Sequence, residues 1–134
     1  SQINQGSQLL SVSITPQSDA SVLVFDGVVH WTEGNVNSSD YFTVALFQEG
    51  VTAALASAAD APSNGNGRCT ADGTYTQICS LGFHFIVPSP GNAATIYHLR
   101  VGLNGGAVRI NSSFNGRQLG GRLASTMSVM EIAK

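Results

Sequence analysis

Residues Thr95–Ile132, TIYHLRVGLNGGAVRINSSFNGRQLGGRLASTMSVMEI, carry hydrophobic side chains at alternate positions in three runs separated by Asn/Gly turns. That two-residue period belongs to a β-strand, whose successive side chains point to opposite sides of a sheet. In Thr95–Leu103, the side chains of Tyr97, Leu99, Val101 and Leu103 form one apolar face and those of Ile96, His98 and Arg100 the other. In the closing run, Met127, Val129 and Glu131 oppose Thr126, Ser128, Met130 and Ile132. The second faces are too apolar to meet only water and too polar for a plain core. Mixed faces of this kind suit a subunit interface, where arginine and aromatic residues are enriched. The stretch predicts a non-catalytic β-module that packs against copies of itself.

The same period extends the reading to the rest of the chain. Strands are predicted over Leu9–Ile14, Ser21–Trp31, Tyr41–Gln48, Val51–Ala59, Ile78–Val87, Thr95–Leu103, Ala107–Asn111 and Leu123–Ile132. Asp26-Gly27 inside the second suggests a bulge. Glu49-Gly50 predicts a tight hairpin into the fourth, whose alanine-rich VTAALASAA also has the composition of a short helix. In the fifth, Phe83, Phe85 and Val87 oppose Gly82, His84 and Ile86. Residues 60–77, DAPSNGNGRCTADGTYTQ, show no hydrophobic period and read as a long loop, a type of segment that is often functional. Eight short strands with polar loops describe an all-β, antiparallel two-sheet sandwich, and eight is the count of a jelly roll.

The 134 residues fit one domain, with residues 1–8 read as a linker or cut N-terminal end. Charged residues make up only 10% of the chain against a usual ~25%, so Ser, Thr, Asn, Gln and Gly must cover the surface. A sparsely charged surface is best tolerated when much of it is hidden in an oligomer. The net charge of −2, with scattered Arg and a lone Lys134, argues against a nucleic-acid partner. No apolar run approaches the ~20 residues that span a bilayer. The polar start, SQINQGSQ, lacks the features of a signal peptide.

Cys69 and Cys79 admit two readings, a disulfide across the turn-rich TADGTYTQI or two free thiols. A zinc site would need further soft ligands, and the neighbourhood offers none. No metal or other cofactor is expected. The eight acidic residues are spread singly, which gives little support to a glycosidase pair. No G-x-S-x-G elbow occurs either.

The turn ITP after the first strand, ALFQEG, YHLRVGLNGG, FNG and the terminal STMSVMEI together resemble C-terminal jelly-roll domains of bacteriophage and prophage tail-fibre or spike proteins. The resemblance covers about Leu9 to Ile132. It implies a jelly roll of the general kind seen in complement C1q and tumour-necrosis-factor heads, assembled as a homotrimer at an exposed, extracellular fibre or spike tip on the virion. It also implies a host-surface ligand, often a saccharide. The Cys-flanked loop departs from the pattern, so the ligand itself does not carry over.

Sugars present apolar faces that stack on aromatic rings, and hydroxyls that Asn, Asp and Arg bind. The candidate ligand-binding residues are therefore Tyr75, Arg68, Asp72, Asn64 and Asn66 of the long loop, with Trp31 at the mouth of TEGNVNSSD. Trp31 also alternates with Leu23, Phe25 and Val29, which would make it core. The candidate interface comprises Ile96, His98, Arg100, His84, Ile86, Met130 and Glu131. Within it, His84 and His98 read either as metal ligands on a three-fold axis or as ordinary hydrogen-bonding side chains. The lack of H-x-H spacing favours the second. Arg100 and Glu131 would pair if their strands were neighbours. Two other roles stand beside attachment: a purely structural trimerising cap or virion decoration, and an enzyme acting on surface polysaccharide.

Overall fold

The computed structural model describes residues 6–33, 41–60, 78–103, 108–113, 116–117 and 122–134. They build β1 (Ser7–Ile14), β2 (Val22–Glu33), β3 (Phe42–Gln48), β4 (Ala56–Asp60), β5 (Cys79–Pro88), β6 (Thr95–Leu103) and β7 (Val108–Ile110). Two short pieces, β8 (Ser112–Ser113) and β9 (Gly116–Arg117), pair with each other, and β10 (Thr126–Ile132) closes the chain of strands. One sheet has the order β1-β6-β3-β4 and the other β10-β2-β5, with β7 paired to the far end of β2. All pairings are antiparallel.

The core lies between these sheets and follows directly from the alternation. Leu23, Phe25, Val29 and Trp31 of β2 and Phe83, Phe85 and Val87 of β5 face Phe42, Val44 and Leu46 of β3 and Tyr97, Leu99 and Val101 of β6. Two ring contacts bridge the layers. Trp31 stacks on Phe42 with centroids 4.4 Å apart, and Phe25 meets Tyr97 edge-on at 4.8 Å. Residues Met127 and Val129 of β10 and Leu10, Val12 and Ile14 of β1 pack on this cluster but remain half-buried. Both β1 and β10 are sheet-edge strands, so less of the protein covers them.

Three details of the second to fourth strands differ from expectation. β2 keeps an unbroken register with both β5 and β10, so Asp26-Gly27 is no bulge. Gly27 is required there by crowding: its inward side lies against the Thr126 carbonyl and the ring of its cross-strand partner Phe83. The irregularity falls in β1 instead, between Gln8 and Leu10. The fourth strand begins at Ala56 rather than Val51. At Glu49-Gly50 the Val51 N–H donates to the Gln48 carbonyl at 3.0 Å, with φ +79° at Gly50. Positive φ at the second central residue alone is the type II pattern, which splays the flanking strands, whereas the mirror-image turns hold a hairpin together. The regular ladder therefore resumes only at Ala56, opposite Leu46, just after the Leu55 N–H donates to the Leu46 carbonyl at 2.8 Å.

A small polar ring fastens the late segments to β2. Asn111, at φ 55°, donates its N–H to the His30 carbonyl and accepts the Ser125 hydroxyl at 2.7 Å. The Ser125 oxygen in turn accepts the His30 N–H at 3.1 Å. Asparagine tolerates the left-handed conformation better than most residues, which explains its use at this corner.

Candidate functional site

The two outer faces of the sandwich are chemically different, and the candidate interface residues divide between them. Ile96, His98 and Arg100 lie on the outer side of β6. The imidazole Nε2–H of His98 donates to Glu49, and Arg100 donates from Nη2 to the Gly6 carbonyl at 2.6 Å. Ile96 is the one large exposed hydrophobic residue of β6. On this face His98 Nε2 and Arg100 are engaged within the chain, while His98 Nδ1 is buried without a hydrogen-bond partner.

The outer face of β10-β2-β5 is assembled in rows by the register. Ile132, Val22 and Pro88 form one row, and Met130, Val24 and Ile86 the next. Ser128, Asp26 and His84 follow, with His84 Nδ1 2.5 Å from Asp26 Oδ1. The first two rows make a continuous apolar strip. Ile86 is 60% exposed, Met130 57% and Ile132 46%, while Val24 between them is only 5% exposed because its row neighbours cover it.

Glu131 belongs to neither face. It points inward from β10 at the end of the sandwich, where its carboxylate gathers the turn between β1 and β2. Oε1 accepts the N–H groups of Gln17 (2.9 Å) and Ser18 (3.1 Å) and the Ser21 hydroxyl, and Oε2 accepts Gln17 N–H at 2.8 Å. The Ser21 hydroxyl first and then the Gln17 amide hold its pKa below the ordinary value of 4.5, against an opposing effect of burial, with a lesser lowering from the Ser18 amide. The expected Arg100–Glu131 pair is therefore corrected. β6 and β10 belong to different sheets, and the carboxylate is already occupied by a turn that local patterning did not reveal.

A depressed folded-state pKa contributes stability above the unfolded value, and that contribution is lost as pH falls through the folded pKa. Glu131→Gln is thus expected to lower the melting temperature at neutral pH. The gap from wild type should close as pH drops below 4.5. Thermal melts of both proteins across that range check it, and a gap independent of pH would contradict the assignment.

His84 and His98 sit on opposite outer faces and each bonds a carboxylate, Asp26 and Glu49 respectively, so they do not converge on one metal position. Trp31 is 1% exposed and stacked in the core, which corrects its candidacy as a ligand contact. Burial also raises the pKa of Tyr97, on the Phe25 side of the same core. Tyr75, Arg68, Asp72, Asn64 and Asn66 lie outside the described residues, as does Cys69. Cys79 is disulfide-bonded.

Sequence reasoning placed Ile86 and Met130 at an interface but missed Val22, Val24, Pro88 and Ile132 as their neighbours. The signal was present in VLVFDGVVHW, whose valines make both faces of β2 apolar. The partners of the histidines, Asp26 and Glu49, had no local signal, since each lies far from its histidine in sequence. In comparisons with known proteins, no family model matches the chain, and no curated protein matches it.

Proposed function

We propose that the chain is a non-catalytic attachment module, a jelly roll that assembles as a homotrimer and presents loops to a host-surface ligand at the tip of a phage fibre or spike. The pairing pattern is the observation that carries this reading. β3–β4, β2–β5 and β1–β6 are successive antiparallel pairs of one nested hairpin, rolled into two sheets by the added pairings β3–β6 and β2–β10. Taking β1 as the second of eight strands, the sheets read second-seventh-fourth-fifth and eighth-third-sixth. With β7, β8 and β9 set aside, this order supports the reading as a jelly roll lacking its first strand, the architecture implied by the tail-fibre resemblance.

The chemistry of the described acids supports a binding role over an enzymatic one. Three of the described acids are engaged within the chain, Asp26 and Glu49 with histidines and Glu131 with a turn. Binding would fall to loops, with the saccharide-type candidates Tyr75, Arg68 and Asp72 in the long one. Three equivalent sites would raise avidity above that of a single weak contact. A purely structural cap is the second reading, which the exposed apolar strip would suit without any ligand.

Adsorption to a panel of bacterial surfaces separates these roles. The attachment reading expects binding by the intact chain and its loss when residues 60–77 are replaced by a short Gly/Ser linker, with the oligomer retained. An oligomer that adsorbs nowhere supports the cap. Release of oligosaccharides from capsule or lipopolysaccharide would overturn both in favour of an enzyme.

A further inference from the structure

The inward side chains of β5 and β10 are covered unequally, although both are edge strands of one sheet. Phe83 and Phe85 of β5 are buried, whereas Met127 and Val129, in the same rows on β10, stay half-buried. Leu10, Val12 and Ile14 are half-buried too, on β1, the edge strand of the other sheet that lies against β10. We infer that the outer edge of β10 is a strand-addition site, where an extended segment of a separate polypeptide pairs antiparallel with Thr126–Ile132 and covers this side of the sandwich. The inference rests on the pairing pattern and is independent of the attachment and trimer readings.

Topology is the first argument. The pairs β3–β4, β2–β5 and β1–β6 are nested, each joining an earlier strand to a later one. β10 has no such earlier partner, and its one ladder among the described residues is with β2. A fourth nested strand would lie on the outer edge of β10 and, like every other pair in the fold, run antiparallel. Residues 1–5 are too few to supply it. Crossing the ~10 Å between two sheets takes about three extended residues, which leaves about two against the seven of β10.

The edge itself is the second argument. An edge strand presents a row of unpaired N–H and C=O groups, which another extended backbone satisfies directly. Proteins blunt such rows with short strands, bulges, proline or outward charge. β4 has five residues, β1 shifts register between Gln8 and Leu10, and β5 ends on Pro88 and sets the Asp26-bonded His84 outward. β10, TMSVMEI, keeps an unbroken register over seven residues with no proline, glycine or basic residue. Its one charge, Glu131, is turned inward onto the β1–β2 turn.

The rows of β10 define the chemistry of the added strand. Its inward side chains are apolar, beside Met127 and Val129. Its outward side chains are apolar in its first half, beside the exposed Ile132 and Met130, and polar in its second, beside Ser128 and Thr126. An uncharged, β-branched segment with this pattern fits, since cross-strand neighbours on each face then match.

Amide hydrogen exchange of the whole chain, followed by NMR, tests the site with a synthetic valine–threonine peptide of this pattern that carries a lysine at each end. At millimolar peptide, exchange is expected to slow at least about tenfold at the alternate β10 amides that point away from β2, with no change along β1, β4 or β5. The same peptide N-methylated at every residue has no backbone donor and is expected to leave exchange unchanged. No slowing in β10 would overturn the site. Equal slowing by the methylated peptide would overturn it as well, because apolar adsorption needs no backbone pairing. Outer β10 amides already protected in the peptide-free chain would also contradict it. Loss of that protection on deleting residues 1–5 would give the edge to the chain's own N-terminus, and loss on dilution would give it to a second copy.

Discussion

Gly27→Ala is expected to destabilise the fold by about 3 kcal/mol, a large cost for one added methyl group. A β-carbon at this position would run into the Thr126 carbonyl oxygen and come within 2.5 Å of Phe83 Cζ. The ring could tilt away, but the carbonyl belongs to the backbone of β10, whose register with β2 is continuous over Thr126–Ile132. Relief therefore requires β10 to move off the sheet, uncovering Met127 and Val129 and pulling Glu131 from the turn it holds. Denaturant titration of the variant should show a midpoint well below wild type. Adding Phe83→Ala should restore little, because the carbonyl clash persists. A midpoint within about 0.5 kcal/mol of wild type would contradict the tight β2–β10 packing.

Trp31→Ala should cost about 3–5 kcal/mol, as expected for truncating a large buried aromatic. Trp31 lies in β2 and its stacking partner Phe42 in β3, so the substitution opens a cavity between the two sheets. The same variant separates the two roles that the sequence allows this residue. A core tryptophan removes stability, whereas a ligand-contacting one removes adsorption and leaves the fold intact. Because the chain has a single tryptophan, its native fluorescence reports this environment directly. Emission should be blue-shifted and insensitive to iodide in the native protein, and red-shifted on unfolding. Solvent-quenched native emission would contradict the burial.

The strands themselves were legible in the sequence because the two-residue period is local. Tyr97, Leu99 and Val101 could be placed inward from β6 alone, and Ile86 and Met130 outward from β5 and β10. Features that depend on how strands align were not legible in the same way. The Glu49-Gly50 turn looked like a hairpin because its residues fit several turn types, and only the φ values distinguish type II from the mirror-image forms. Gly27 looked like a bulge because a glycine needed for close approach has the same local signature as one needed for an irregular backbone. Arg100 and Glu131 invited pairing because both interrupt apolar patterns, yet the order β1-β6-β3-β4 against β10-β2-β5 separates them. The strip became visible only when register joined Val22, Val24 and Pro88 to residues already marked.

Attachment and avidity both depend on the chain existing in solution as an assembly. Light scattering coupled to size separation, run on the disulfide-intact protein at micromolar concentration, measures that most directly. The account predicts a particle of three times the 13.9 kDa chain mass. A stable, soluble particle of one chain mass at that concentration would contradict it.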